Sequence, residues 1–427
     1  MIGKHAKRKP VICNLAGIYT ANAFNPGAVV VIHAPRACSH LIAGSMPYLK
    51  ERYRKSGGQV PFDYSNLYVT GLTDKEAIFG GEQKLEKCLR DVIAVRQPSY
   101  IMVAGGCVAG VIGDDIEAVC RRVEKDTGTP ILHTDGSGFM NDTESDPYTL
   151  TTRLLLEKFA PLKPTEARNK TVVILGEQPI NNKKFVTDCI NRLFRYFGLQ
   201  DVLYPIGGMS LSEFPALNRV SLALAGRGQT NKRKEIHAFT RQFAETLGIP
   251  YNLDHLPETP REVCAYLRKT GELLDEPYLA EQAVEQEMKR IQAAAAECRP
   301  VFQKHRCLLA FVFSYDFAMP ERMIELLEAA GVPIAGFILL PEMAEAESVK
   351  YRNALQEYGK PIYTEEDYLK QKSSEKIADF AISIIEKPYF EKQFITTKRH
   401  IGAAGICDFW QQLKQFLKRD RRMYYED

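Results

Sequence analysis

Residues 100–132 read YIMVAGGCVAGVIGDDIEAVCRRVEKDTGTPIL. The run Tyr100–Ala104 is wholly apolar, which is typical of a strand buried on both faces of a parallel sheet. A helical pattern follows and ends at Gly128-Thr129-Pro130, because glycine suits the left-handed position just past a helix and proline prevents the helix from continuing. The apolar residues Ile131 and Leu132 then predict a second strand. The stretch therefore predicts one βαβ unit.

The same junction occurs twice more along the chain. Gly248-Ile249-Pro250 and Gly331-Val332-Pro333 each end a helical pattern and precede apolar residues. Further apolar runs of strand length lie at 171–175, 220–225 and 308–313. We therefore predict an α/β chain built from three successive units, at residues 1–165, 166–300 and 301–427, the last with a C-terminal helix.

The bulk composition narrows the functional classes. The chain has 427 residues, 45% of them apolar, and a net charge of only +3, which does not favour general nucleic-acid binding. A basic cluster at 418–422 is typical of a solvated helix end, with docking to an acidic partner as the alternative. We find no signal peptide and no apolar run of membrane-spanning length, so we expect a cytoplasmic protein that binds no membrane. In a reducing compartment, the ten cysteines favour metal, catalytic or core roles over disulfides.

Three cysteines differ from the others in their context. Cys38 and Cys107 each follow an apolar strand-like run, so we expect them in loops at the carboxyl ends of strands, where open α/β sheets bind ligands. With Cys13, they could hold an iron–sulfur cluster, because widely spaced thiolates do not match a paired zinc site. Their spacing alone leaves buried structural cysteines as the alternative. The other seven fall in helical or strand patterns typical of core packing: Cys88, Cys120, Cys189, Cys264, Cys298, Cys307 and Cys407.

The order of these signals resembles the amino-terminal domain of nitrogenase component 1 subunits and their relatives. IFGGEQKL at 78–85 lies between Cys38 and Cys107, and IGDDIE at 112–117 follows Cys107. The strong similarity covers about the first 140 residues, and beyond them the likeness is one of architecture. The resemblance implies three Rossmann-like domains, each a mainly parallel sheet flanked by helices, with a cleft between them.

The resemblance also implies cofactors and partners. Cys13, Cys38 and Cys107 fall on the family's ligands to an interface iron–sulfur cluster, either [4Fe-4S] or a larger P-cluster-like cluster shared between subunits. The implied partners are a similar or identical component 1-like subunit and an ATP-dependent [4Fe-4S] reductase. The chain itself contains no GxxxxGK[ST] phosphate loop. Electrons would pass to a small substrate or cofactor, and the cleft could hold a second metallocofactor or a tetrapyrrole.

The sequence departs from the catalytic nitrogenase subunit in its second half. The stretch 228–246 contains His237 but no cysteine, and Cys264 lies elsewhere. We interpret His400, near the carboxyl end, as structural. A reductase subunit is therefore one hypothesis, a non-catalytic scaffold for metal-cofactor assembly is the second, and an α/β binding protein with ordinary core cysteines is the third.

Polar residues near the cysteines leave two more interpretations open. Residues flanking Cys38 could tune a cluster's potential or simply pack at the surface: His33, Arg36, Ser39 and His40. Asp114 and Asp115 begin a helical pattern, so we predict that they complement the helix dipole and have no catalytic role.

Overall fold

The structure is a computed structural model, and it describes nine stretches of the chain. Within them every strand pairing is parallel, and the strands form three sheets. Helices connect the strands, so the predicted α/β class with three parallel sheets is confirmed. The described stretches are 14–43, 66–136, 146–177, 183–227, 233–312, 320–343, 345–396, 399–419 and 422–426.

The first sheet has the strand order β2-β1-β3-β4. Its two central strands, β1 and β3, are buried along all six of their residues, as expected for strands covered by helices on both faces. Two apolar cores cover the two faces. Its elements are α1 (Asn14–Ala23), β1 (Ala28–His33), α2 (36–43), β2 (Leu67–Val69), α3 (Asp74–Phe79), α4 (Glu82–Arg96), β3 (Tyr100–Gly105), α5 (Cys107–Ile112), α6 (Ile116–Thr127), β4 (Ile131–Asp135) and α7 (Pro147–Phe159).

The second sheet has the order β6-β5-β7-β8. Residues of β5 and β7 share one apolar core with α1, β1 and β3, so the first two sheets are built around common buried residues. Its elements are β5 (Thr171–Leu175), α8 (Lys183–Arg195), β6 (Asp201–Leu203), a 3₁₀ helix (Leu211–Arg219), β7 (Leu222–Ala225), α9 (Arg233–Leu247) and β8 (Tyr251–Asn252).

The third sheet is doubly wound, with the order β11-β10-β9-β12-β13-β14. The chain starts at β9 in the middle and builds outward first on one side and then on the other, which is the Rossmann arrangement. Two helices, α10 (Pro260–Leu273) and α11 (Pro277–Phe302), precede this sheet in the chain. The elements of the sheet are β9 (Cys307–Phe311), α12 (Pro320–Ala330), β10 (Ile334–Leu339), α13 (Glu345–Gln356), β11 (Ile362–Thr364), α14 (Glu365–Lys372), β12 (Phe380–Ser383), β13 (Gln393–Ile395), α15 (Gly402–Lys418) and β14 (Met423–Tyr425).

The three predicted helix-to-strand junctions are confirmed. Gly128, Gly248 and Gly331 have φ values of 72°, 64° and 80°, and they follow α6, α9 and α12. A side chain at such φ values is strained, so glycine is the residue that ends each helix this way. The prolines two positions later precede β4, β8 and β10. These local signals therefore placed three of the strands.

The chain forms two compact units. One contains the first and second sheets, and the other contains the third sheet together with α8 and the helices that follow β8. The predicted domain limits, 1–165, 166–300 and 301–427, remain a prediction. Among the described residues, no helix has both the length and the apolarity needed to cross a bilayer.

A buried carboxylate holds the amino terminus of α15. Glu287 of α11 is fully buried, and its Oε2 accepts a hydrogen bond of 2.9 Å from the backbone N–H of Ala403. Its Oε1 accepts one of 2.9 Å from the Tyr196 hydroxyl and one of 2.7 Å from the Arg290 guanidinium. Because a helix amino terminus has unpaired N–H groups and a partial positive charge, it stabilises this carboxylate.

Candidate functional site

The two described candidate cysteines lie at the same edge of the first sheet. β1 and β3 are paired neighbours, with His33 opposite Gly105, so the segments that follow them leave the sheet side by side. Cys38 lies in α2, after β1, and Cys107 is the first residue of α5, after β3. Both cysteines were predicted in loops, and that detail is wrong, because α2 begins at residue 36 and α5 at Cys107, almost directly after β1 and β3. Cys13 lies outside the described residues.

The segments that carry Cys38 and Cys107 touch through Gly106 and Ala34. The Gly106 N–H donates to the His33 carbonyl at 3.0 Å. A Cβ placed on Gly106 would lie 2.7 Å from the Cβ of Ala34, closer than carbon atoms can pack. The glycine is therefore required for the close approach of these two segments, independently of its φ angle.

We expect Gly106→Ala to lower the free energy of unfolding by about 1–3 kcal/mol, the usual cost of forcing a methyl group into a packed site. The double variant Gly106→Ala with Ala34→Gly should recover most of this loss, because it removes the methyl group that clashes. Urea unfolding of the wild type, the single variants Gly106→Ala and Ala34→Gly, and the double variant measures both effects. Additive losses in the double variant would contradict the packing argument.

The first turn of α1, which Cys13 directly precedes in the chain, reaches the same edge. A Cβ on Gly136, just after β4, would lie 2.5 Å from Leu15 Cδ2 and 3.3 Å from Ile18 Cδ1. The Gly136 N–H donates to the Gly105 carbonyl at 2.8 Å. The start of α1 is thus packed beside the carboxyl ends of β3 and β4.

The two described candidate cysteines are more exposed than the buried cysteines of the core, although Cys88, Cys264 and Cys407 are also half-buried. Cys107 is exposed and Cys38 is half-buried. By contrast, burial raises the pKa of Cys120 and of Cys189 to about 12, so both stay protonated thiols. The predicted core role is confirmed for the four fully buried cysteines: Cys120, Cys189, Cys298 and Cys307.

Large apolar side chains are exposed on the helices that begin at this edge. Ile78 and Phe79, at the end of α3, are 73% and 79% exposed, and Val111 of α5 and Leu41 of α2 are 68% and 71% exposed. α3 also packs against α5. We call these four residues the apolar rim. Exposed apolar side chains clustered at one edge are typical of a surface that binds another protein.

His33, the last residue of β1, is fully buried behind the cysteine segments. Its Nδ1 lies 3.0 Å from Thr70 Oγ1, and its Nε2 lies 2.9 Å from Asp114 Oδ2. Thr70 Oγ1 also accepts the Ala34 N–H at 3.2 Å. Burial lowers the pKa of His33 below its usual value, although the hydrogen bond and the charge of Asp114 oppose this effect. His33 is therefore a neutral imidazole at pH 7.

We expect the free energy of unfolding to fall as the pH drops from about 7 to about 5. Since the pKa of His33 is lower in the folded than in the unfolded chain, the unfolded chain binds an extra proton below its own pKa of 6.5. This residue can contribute a slope of at most about 1.4 kcal/mol per pH unit. Urea midpoints of the wild type and His33→Gln, measured at both pH values, test this. An equal pH dependence in the two proteins would rule out His33 as its source.

Hydrogen bonds join the IFGGEQKL segment to the IGDDIE segment. The Gly81 N–H donates to Asp114 Oδ1 at 2.7 Å, and the Asp115 N–H donates to Glu82 Oε1 at 3.1 Å. Asp115 caps α6 by accepting from the Ala118 N–H at 2.9 Å. The dipole interpretation was therefore incomplete for Asp114, whose carboxylate precedes α6 and joins His33 to Gly81.

The other residues near Cys38 are held locally. The side chain of Arg36 lies over Gly71, where an added Cβ would meet its Cγ at 3.3 Å. The Ser39 hydroxyl donates to the Arg36 carbonyl at 2.8 Å. Their role in tuning a cluster, together with that of the exposed His40, remains a prediction.

Comparison with known proteins identifies the family. The sequence profile described as "Nitrogenase component 1 type Oxidoreductase" matches residues 13–418. The chain belongs to the nitrogenase component 1 family. The resemblance seen in the first 140 or so residues thus extends over nearly the whole chain.

Relatives of this component 1 family chain include two kinds of protein. The nitrogenase molybdenum-iron protein alpha chain of Methanothermobacter marburgensis is 25% identical over 274 residues, which are 62% of this chain and 55% of that protein. The nitrogenase iron-molybdenum cofactor biosynthesis protein NifE of Clostridium pasteurianum is 27% identical over 224 residues, 52% of this chain and 44% of that protein. The chain therefore spans only about half the length of these relatives.

A solved structure shows the same fold. Nitrogenase Cp1 at pH 6.5 superposes with a TM-score of 0.64 over 96% of this component 1 family chain and 90% of that chain. The sequence identity is 16%, so this likeness shows the fold alone.

Two histidines singled out by the sequence have local partners in the component 1 family chain. His400 is buried, its Nε2 lies 3.1 Å from Glu426 Oε1, and its ring packs against that of Phe409 at an interplanar angle of 44°, with centroids 4.4 Å apart. The Nε of Arg233 donates to His237 Nε2 at 3.0 Å within α9. Sequence reasoning found His400 structural, which these contacts support, but it missed the partner Glu426, 26 positions away.

The described residues hold two of the three predicted ligands. Among them, no group of three or more histidine, cysteine, aspartate or glutamate side chains is arranged to bind a metal ion. Sequence reasoning also missed Asp114 as the partner of His33, since the two lie 81 positions apart. The one sequence signal for the pair is that His33 lies five positions before Cys38 and Asp114 lies seven positions after Cys107.

Proposed function

We propose that this chain is a subunit of a nitrogenase-like reductase. In this proposal Cys13, Cys38 and Cys107 bind an iron–sulfur cluster that receives electrons from an ATP-dependent iron–sulfur reductase. The electrons then pass to a small substrate or cofactor. The observation that carries the proposal is the meeting of the two described cysteine segments at the carboxyl edge of the first sheet.

The residues at this edge suit a thiolate-bound cluster. Cys107 is exposed, Cys38 is half-buried, and Gly106 lets the backbone between them pack without a side chain. The start of α1 lies at the same edge, which supports Cys13 as the third ligand. When bound, such a cluster supplies one-electron redox chemistry. The chain contributes thiolates, a backbone cradle and the buried His33 behind it. We propose either a [4Fe-4S] cluster or a larger one shared with a similar or identical subunit.

The apolar rim supports a partner at this edge. Phe79 and Ile78 are among the most exposed large apolar residues described, and they stand on the helix that follows β2. An exposed aromatic side chain is the kind of residue that anchors an interface. We propose that the apolar rim contacts the reductase.

Anaerobic purification followed by ATP-dependent reduction tests the proposal. We expect iron and sulfide in the wild-type chain, and a change in the electron paramagnetic resonance signal when a [4Fe-4S] reductase and ATP are added. Phe79→Ser should slow this reduction, whereas Val95→Ser should not, because Val95 is equally exposed at 77% but lies at the far end of α4. Iron-free protein, or reduction that needs no ATP, would refute the proposal.

A scaffold for metal-cofactor assembly is the second candidate. Its support is the similarity to NifE proteins, which extends over 52% of this chain in the Clostridium pasteurianum relative. A reductase subunit will turn over substrate many times with its reductase and ATP. A scaffold will instead release a metal cofactor to an acceptor protein without turnover. Measuring substrate turnover and cofactor release in one preparation distinguishes the two functions.

A further inference from the structure

His33 links the end of β1 to three neighbouring segments. Its backbone carbonyl accepts from Gly106 after β3, its Nδ1 faces Thr70 after β2, and its Nε2 faces Asp114 ahead of α6. It is itself the last residue of β1, five positions before Cys38.

The hydrogen-bond donors in this group can be assigned. As a carboxylate, Asp114 only accepts hydrogen bonds, so the Nε2 of a neutral His33 carries the proton. Nδ1 then accepts from the Thr70 hydroxyl, whose oxygen accepts the Ala34 N–H. The second oxygen of Asp114 accepts the Gly81 N–H. Each of these polar atoms therefore has a hydrogen-bond partner. Rotation of any of the three side chains would leave a buried polar group unpaired.

Close packing confines the group on two sides. A Cβ on Gly81 would lie 2.7 Å from Asp114 Oδ2 and 3.0 Å from His33 Cε1. On the other side, Gly106 is in contact with Ala34. A shift of Asp114 or of the His33 ring would therefore move the turn after α3 and the two cysteine segments together.

We propose that His33, held by Asp114, is the positioning residue that sets the relative placement of the Cys38 and Cys107 segments. Its side chain acts through Asp114, which also holds Gly81 in the turn that ends the exposed helix α3, and its backbone carbonyl holds Gly106. This inference rests on the proposed function for its link to a cluster. The geometry it asserts can also be measured in the iron-free chain.

Two neutral replacements of His33 separate its two ring contacts. Glutamine can place an N–H where Nε2 donates to Asp114, and asparagine can place an oxygen where Nδ1 accepts from Thr70. We expect His33→Gln to keep the iron content and the electron paramagnetic resonance line shape close to wild type. His33→Asn should bind iron about 10- to 100-fold less tightly, which is the usual cost of losing a group that orients a metal ligand. The line shape of its electron paramagnetic resonance signal should also change.

Alkylation by iodoacetamide of the iron-free chain provides a measurement that needs no cluster. Cys107 is exposed and serves as the internal reference for the half-buried Cys38. In His33→Asn, the labelling of Cys38 relative to Cys107 should rise about tenfold, since losing a buried hydrogen bond makes local opening more frequent by about that factor. In His33→Gln the ratio should stay near wild type.

A second pair of variants covers the case in which the His33 variants fail to fold. Asp114→Asn removes one acceptor of the group, whereas Asp115→Asn makes the same charge change one residue away and keeps the cap of α6. We expect the labelling ratio to rise only in Asp114→Asn. Wild-type ratios in both His33→Asn and Asp114→Asn would overturn the positioning role, even if the chain binds iron. Altered ratios in a chain that binds no iron would support it while refuting the proposed function.

Discussion

Replacing Cys38 or Cys107 by alanine will remove most of the iron from the anaerobically purified chain. Losing even an outer hydrogen-bond partner of a ligand lowers metal affinity by about 10- to 100-fold, so losing the thiolate itself should cost at least as much. Both cysteines lie at the edge where β1 and β3 end, and neither is fully buried. Iron and sulfide analysis, with the visible absorption of the cluster, measures the loss.

Cys264→Ala is the matched control for these two variants. Cys264 is half-buried like Cys38, but it lies in α10, in the other compact unit. Burial raises the pKa of its thiol, which disfavours the thiolate that a metal needs. We expect it to keep its iron. Equal iron contents in Cys264→Ala and Cys107→Ala would contradict the assignment of Cys107 as a ligand.

Glu287→Ala should have the largest effect on stability, lowering the free energy of unfolding by about 3 kcal/mol. The side chain is fully buried, and its removal leaves the Ala403 N–H and the Tyr196 hydroxyl without their acceptor. Arg290 is 45% exposed, so water compensates for the loss of that ion pair, and the cost comes mainly from the buried Ala403 N–H and the half-buried Tyr196 hydroxyl. Urea unfolding followed by far-ultraviolet circular dichroism measures the change.

Two further variants of α11 serve as controls for the stability change of Glu287→Ala. Glu287→Gln keeps the volume and one accepting oxygen, so it should lose less than Glu287→Ala. Glu285→Ala removes an exposed carboxylate two residues earlier in the same helix and should change stability by less than about 0.5 kcal/mol. If Glu285→Ala and Glu287→Ala were equally destabilising, the cost would come from helix α11 itself and not from its contact with α15.

The polar contacts of the candidate site and of α11 show where prediction from the sequence reached its limit. The strings IFGGEQKL and IGDDIE were recognisable, but their roles were not, because Gly81 and Asp114 lie 33 positions apart and meet only when α3 and α5 pack. Similarly, Glu287 and Ala403 are 116 positions apart, and nothing local in α11 distinguishes Glu287 from the other glutamates of that helix.

The amino-acid sequence by itself determined the parallel α/β architecture and the family. Strands buried on both faces require continuous apolar runs, and a helix that must end at a left-handed residue requires glycine, so both features are visible in short stretches such as 100–132. Only the tertiary structure decided which polar groups meet. His33 is paired with Asp114, and Gly106 is packed on Ala34, because strand pairing brings distant segments to one edge. Such contacts join residues that are distant in the sequence, so they form only when the chain folds.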